Sequence, residues 1–198
     1  MDSTPLALFP LHTVLFPGGP LALRLFEPRY LDMVRRCLKE QGEFGVFTIL
    51  AGEEAGAVER LATIGTRARV VDFDPLPGGL LGIGCLGGAR LRLRRHWQQS
   101  DGLYLGEVEE LPGDVPCPVP PELEHLAELL RGVLPGLGRG YGHVVAQYED
   151  AGWVANRCAE VLPLSPEEKL ALLELDEPLA RLAQVAAWSG RQAAAAHV

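Results

Sequence analysis

The sequence predicts an α+β protein in two parts, a β-rich lobe followed by a helical bundle, and three observations predict it. Apolar residues run in short, turn-bounded segments of strand character as far as Leu111. The stretch from Pro112 to Pro121 then holds five prolines, which sustain neither a ladder nor a helix and read as a stiff connector. Beyond it the apolar residues recur at a period of about 3.6. The lobes are therefore expected at 1–111 and 122–190, with 112–121 as the connector and 191–198 as a tail. At 198 residues, 47% hydrophobic and 22% charged, the chain can bury a substantial core.

Taken in order, Leu6 to Leu25 is broken by Pro10 and by Pro17-Gly18-Gly19-Pro20, which suits brief extended segments joined by tight turns. Glu27-Pro28 opens a helix carrying Leu31, Val34 and Leu38, and Gly42 stops it. Phe44 to Leu50 and Ile64 to Phe73 read as strands, and Pro75 to Gly79 as a turn. Leu80 to Cys85 and Ala89 to Trp97 read as a hairpin bent around Gly87-Gly88, with Leu103 to Leu111 as one more strand. In the second lobe, Leu123, Leu126, Leu130 and Val133 form one apolar stripe. Trp153, Val154, Cys158, Val161 and Leu162 form another. Ser165-Pro166-Glu167-Glu168 has the pattern of a capping box, and Asp176-Glu177-Pro178 starts a last helix with Leu179, Leu182 and Ala186. The alanine-rich residues after Gly190 are expected to fray.

Eighteen basic against 26 acidic side chains give a net charge of -8, which disfavours a general grip on nucleic acid or an anionic membrane. Cys37, Cys85, Cys117 and Cys158 form no CxxC and read as plain thiols, without metal or disulfide. Prolines interrupt the N-terminal apolar stretches, no basic segment precedes them, and no run reaches the roughly 20 residues of a membrane span; a cytoplasmic location is the expectation.

Recognisable catalytic machinery is missing from the pattern. Gly82, Gly84 and Gly87 spell GxGxxG, but the alternating Arg90, Leu91, Arg92, Leu93 and Arg94 follow as a strand where a dinucleotide loop requires a helix. Neither Lys39 nor Lys169 follows a glycine, so no phosphate-loop GK pair exists. None of the four serines stands in GxSxG, and the five histidines include no HExxH. No cofactor, metal or catalytic residue is assigned.

One succession is more specific. Leu8-Phe9-Pro10-Leu11, Val14-Leu15-Phe16-Pro17-Gly18-Gly19, Leu23 and Leu25-Phe26-Glu27-Pro28-Arg29-Tyr30 are followed by Phe44-Gly45-Val46, Ile64-Gly65-Thr66-Arg67-Ala68-Arg69-Val70 and Gly79-Leu80-Leu81-Gly82-Ile83. In this order the segments resemble the substrate-binding domain of Lon-type proteases, most strongly over residues 6 to 110. The resemblance implies a PUA-like lobe, a small, strongly bent β-barrel with a helix at its opening, followed by a helical lobe. It also implies a module that recognises polypeptide without the family's ATPase or peptidase domains. Within the motif, Pro28 is expected to start the helix and the Glu27 carboxylate to accept its free amides.

The leading expectation is a non-enzymatic binding module for exposed apolar polypeptide segments or a partner protein, with Phe26, Arg29, Tyr30 and Arg67 lining a groove between the lobes. The alternative is an RNA- or small-ligand-binding module using Arg90, Arg92, Arg94 and Trp97, with Arg95 and His96 beside them. A hydrolase assembled from distant residues is the third reading and requires a pocket of convergent titratable groups. The ligand and the oligomeric state stay open.

Overall fold

The computed structural model describes residues 5–195 except 41, 55 and 57. Its order is β1 (Leu6–Leu11), β2 (Pro20–Leu25), α1 (Pro28–Glu40), β3 (Phe44–Gly52), β4 (Val58–Pro75), β5 (Leu81–Gln98), β6 (Tyr104–Glu110), α2 (Glu124–Val133), α3 (Ala151–Val161), α4 (Pro166–Glu174) and α5 (Pro178–Ala195). The chain divides into two compact units, Met1–Pro112 and Gly113–Val198.

In the first unit the strands follow the order β2-β5-β4-β3-β1-β6, and β6 pairs back onto β5. Five strands thereby close a ring, which leaves no open edge among them. β2 stands outside it and, among the described residues, pairs with the first half of β5, from Pro20 opposite Leu86 to Leu25 opposite Leu81. Among the described residues, β1 and β3 pair in parallel and the other ladders are antiparallel.

Alternation along β1 sends side chains to two apolar clusters. Phe9 and Leu11 join Tyr30, Met33 and Val34 of α1, with Phe44, Val46 and Ile83. Leu8 joins Phe47, Ile49, Leu61, Leu91 and Tyr104. The buried Tyr30 ring stacks on Phe9 with centroids 3.9 Å apart, which fastens the first turn of α1 to β1.

The hairpin expected at Gly87-Gly88 is instead one continuous strand, β5. Thr66 faces Arg90 and Ala68 faces Gly87, so β5 spends an extra residue there and bulges. Glycine is required because the loop between β1 and β2 lies against it: Gly18 N–H donates to Gly87 O and Gly87 N–H to Gly19 O, both at 2.8 Å. A Cβ on Gly87 would collide with the Phe16 carbonyl. A GxGxxG string on a strand is thus a record of close backbone approach, not a phosphate loop.

The second unit is helical. The expected stripe on α2 holds at Leu126 and Leu130, while Val133 is exposed and Ala127 takes a buried place. The capping box of α4 forms as read: Ser165 Oγ accepts from Glu168 N–H at 3.2 Å, and Glu168 Oε2 from Ser165 N–H at 2.9 Å. Two arginines are buried here. Arg181, 1% exposed, gives all five of its N–H groups to Asp114, Asn156 Oδ1 and the carbonyls of Leu172 and Leu175, over 2.6–3.2 Å. Residues 113–119 are consequently fastened to the helices, with Cys117 N–H donating to Asp150 Oδ2 and Pro118 bridging Asp150. α5 runs to Ala195, into the stretch expected as a tail from 191, and 196–198 lie outside the described residues.

Candidate functional site

Of the four residues expected to form a peptide groove, the structure brings two into one depression. Phe26 and Tyr30 line a hollow of about 220 Å³ made by the first unit alone, together with Phe9, Leu11, Ala22, Leu23, Arg24, Leu25, Glu27 and Glu54. Phe26 is 63% exposed and stands at its margin. Tyr30 is 3% exposed, and its hydroxyl has no hydrogen-bond partner among the described residues. Burial pushes the Tyr30 phenol up to about 12, so it stays a neutral donor at physiological pH.

Arg29 works behind this hollow. Its guanidinium pairs with Glu27 Oε2 at 2.7 Å, donates to Gly102 O at 2.8 Å and Glu54 O at 3.4 Å, and lies 4.7 Å from the Tyr30 ring centroid. It joins the start of α1 to two loops that are distant in sequence. The Glu27 carboxylate is thereby taken by Arg29, contrary to the expectation that it would accept helix amides; the Glu27 main-chain carbonyl takes those of Tyr30 and Leu31 at 3.1 Å. The cation is the stronger partner for a partly buried carboxylate. Arg67 lies outside the lining and pairs with Glu43 at 3.6 Å and Glu110 at 3.1 Å.

The arginine row on β5 meets an acidic row on β6. Arg94 pairs with Glu109, and Arg95 with Glu107 at 2.6 Å, while Arg90 is buried. In register, Arg92 faces Glu109 and Leu91 faces Glu110. Arg95 also stacks over Trp97, with its guanidinium carbon 5.2 Å from the ring centroid. Carboxylates opposite the cations compete with phosphate for them.

The second unit has its own hollow of about 260 Å³, lined mainly by the segment between α2 and α3, with Tyr141, Tyr148 and Trp153. Nearby, Tyr141 Oη donates to Glu160 at 3.0 Å and the buried Arg157 pairs with Glu160 at 2.6 Å. Burial pushes the Glu160 carboxyl up to about 7, against the opposing pull of Arg157. Cys85 and Cys158 are buried thiols raised to about 12 by the same cause. Among the described residues no group of three His, Cys, Asp or Glu side chains could hold a metal ion, and no helix is long and apolar enough to cross a membrane.

Sequence reading missed Phe9, Leu11, Ala22, Leu23, Arg24, Leu25, Glu27 and Glu54 as parts of the hollow. Most stand in the motif quoted above and could have been suspected from its density of apolar and charged residues. Glu54 carried no signal, because a loop residue reaches the hollow only through the fold.

This mixed α+β fold is similar to that of solved Lon N-terminal domains. One, described as a Lon N-terminal domain protein from Xanthomonas campestris, is 39% identical, superposes with a TM-score of 0.78, and the match covers 94% of this chain and 99% of that one. The N-terminal domain of a Mycobacterium avium complex Lon protease shares the fold at 18% identity and a TM-score of 0.65, covering 94% and 98%. The sequence matches the family described as the ATP-dependent protease La (LON) substrate-binding domain over residues 5–188. This chain belongs to that family; the match spans both units, and no ATPase or peptidase domain is found in the chain.

Proposed function

We propose that this protein binds exposed apolar segments of polypeptide, as a non-catalytic module, and that the hollow of the barrel unit receives them. The observation that carries this reading is the exposed Phe26 ring beside a hollow walled by Phe9, Leu11, Leu23 and Leu25. An aromatic anchor left in water next to an apolar concavity gains from being covered. Family membership supports the substrate class, since the family is described as substrate-binding in a protease.

The test is fluorescence anisotropy with a labelled, reduced and alkylated polypeptide across a salt series, with a short single-stranded RNA in parallel. Binding of the polypeptide is expected to depend little on salt, and Phe26→Asp to weaken it about tenfold, the equivalent of one buried apolar contact. Unchanged affinity in Phe26→Asp would move the site elsewhere. RNA binding that falls steeply with salt would favour the arginine strand instead.

A further inference from the structure

We infer that the polypeptide is held as an added β-strand along the open edge of β2, with a carboxylate of the segment placed at Arg24. This rests on the polypeptide reading above and specifies how the segment is recognised. Five consecutive residues, Ala22 to Phe26, line the hollow. In a strand, neighbouring side chains point to opposite faces, so a surface lined by one face shows alternate residues only. Consecutive lining means that the main-chain edge of β2 borders the hollow. Phe9 and Leu11 of β1, two residues apart, supply one side-chain face as its apolar wall.

Among the described residues, no strand pairs with that edge. β2 ends the strand order and pairs with β5. In an antiparallel pair alternate residues turn N–H and C=O away from the partner, so β2 presents a row of donors and acceptors to the hollow. Six residues of strand offer roughly 20 Å of edge, enough for a short extended segment. Adding a strand satisfies these groups without reference to sequence, while pockets beside the edge select alternate side chains. The Tyr30 hydroxyl, 97% buried with its residue and without a partner among the described residues, is a further polar group that a seated main chain can satisfy.

Charge selects the segment. Glu27 is held by Arg29, and Glu54 accepts the His12 N–H at 2.6 Å. Arg24, exposed on β2, makes no ion pair among the described residues. A segment with alternating apolar residues and one acidic side chain complements both the wall and this cation.

The probe is a labelled peptide of alternating valine and serine with one central glutamate, compared with two twins bearing N-methyl groups on alternate residues in the two possible phases. A methyl group on an amide facing β2 removes a ladder hydrogen bond and blocks approach. One phase is therefore expected to lose about tenfold or more in affinity and the other about twofold or less. Amides of Leu21 to Leu25 are expected to gain hydrogen-exchange protection with the parent peptide. Arg24→Glu is expected to reject the glutamate peptide and accept a lysine version. Tyr30→Phe is expected to keep its folding stability and lose affinity. If the parent peptide binds and Phe26→Asp weakens it, but both methylated twins bind alike, strand addition is overturned while the groove stands. If neither this peptide nor the unfolded polypeptide binds, both readings fall.

Discussion

The two units bury different things. The barrel closes on apolar clusters drawn from distant strands, and arginines such as Arg67, Arg94 and Arg95 meet carboxylates outside those clusters, with Arg90 the buried exception among the described residues of β5. The helical unit places two guanidiniums in its interior, Arg157 and Arg181, each tied to a carboxylate. The contrast has a physical origin. Strands satisfy their main chain across the ladder and leave the interior to side-chain packing. Helix ends and loops leave carbonyls over, and Arg181 collects two of them at Leu172 and Leu175. A barrel of this kind is specified by shape and the helical unit by hydrogen-bond bookkeeping.

The largest effect that can break this comparison is Arg181→Ala. Removing the guanidinium leaves the Asp114 carboxylate without its cation and takes one hydrogen bond from each of the Leu172 and Leu175 carbonyls, and should cost about 3–5 kcal/mol, the usual consequence of breaking a buried pair. Hydrogen exchange at α3 and α5 reads it; unchanged protection there would show that the apolar contacts alone hold the unit.

The pH dependence of the same unit comes next. The Glu160 carboxyl lies at about 7 when folded against an ordinary 4.5, so the folded state keeps a proton that the unfolded state releases. The associated stability is fully present below about 4.5 and is lost as pH rises through about 7. Denaturant midpoints should therefore rise on going from pH 8 to pH 5.5, and Glu160→Gln should flatten that slope. A slope of opposite sign would mean that Arg157 outweighs burial.

On the barrel side, Gly87→Ala forces a Cβ against the Phe16 carbonyl and should cost about 1–3 kcal/mol, as overpacking does. A neutral result in thermal unfolding would show that the loop between β1 and β2 can yield, and that shape specifies this unit less tightly than argued. The smallest expected change is Ser165→Ala, which removes one half of the capping box on α4 for about 1 kcal/mol, again read from a denaturant midpoint.

Much of the architecture was legible because its signals are local. Pro28 after Glu27, Gly42, and Ser165 with Glu168 each mark a helix boundary through their own backbone chemistry, and the helices begin and end beside them. What escaped was non-local. Period-two alternation on either side of Gly87-Gly88 fits a hairpin and a bent strand equally well; the approach of the Phe16 segment decides between them. Arg157 and Arg181 carry charge, which reads as surface until Glu160 and Asp114 are found beside them. The hollow was half visible. Phe26 and Tyr30 share a motif, but the openness of β2 follows from strand order, and strand order is not written in any window of sequence.

The Arg181 clasp also bears on how the chain is made. The barrel has its last strand by Glu110, whereas Asp114 leaves the ribosome 67 residues before the arginine that holds it, an interval of roughly 3–13 s at ordinary translation rates. During that time α3 and α4 have been synthesised without the side chain that joins them to Asp114. A nascent chain interrupted before residue 181 therefore carries every strand of the barrel beside a helical half that lacks its fastening.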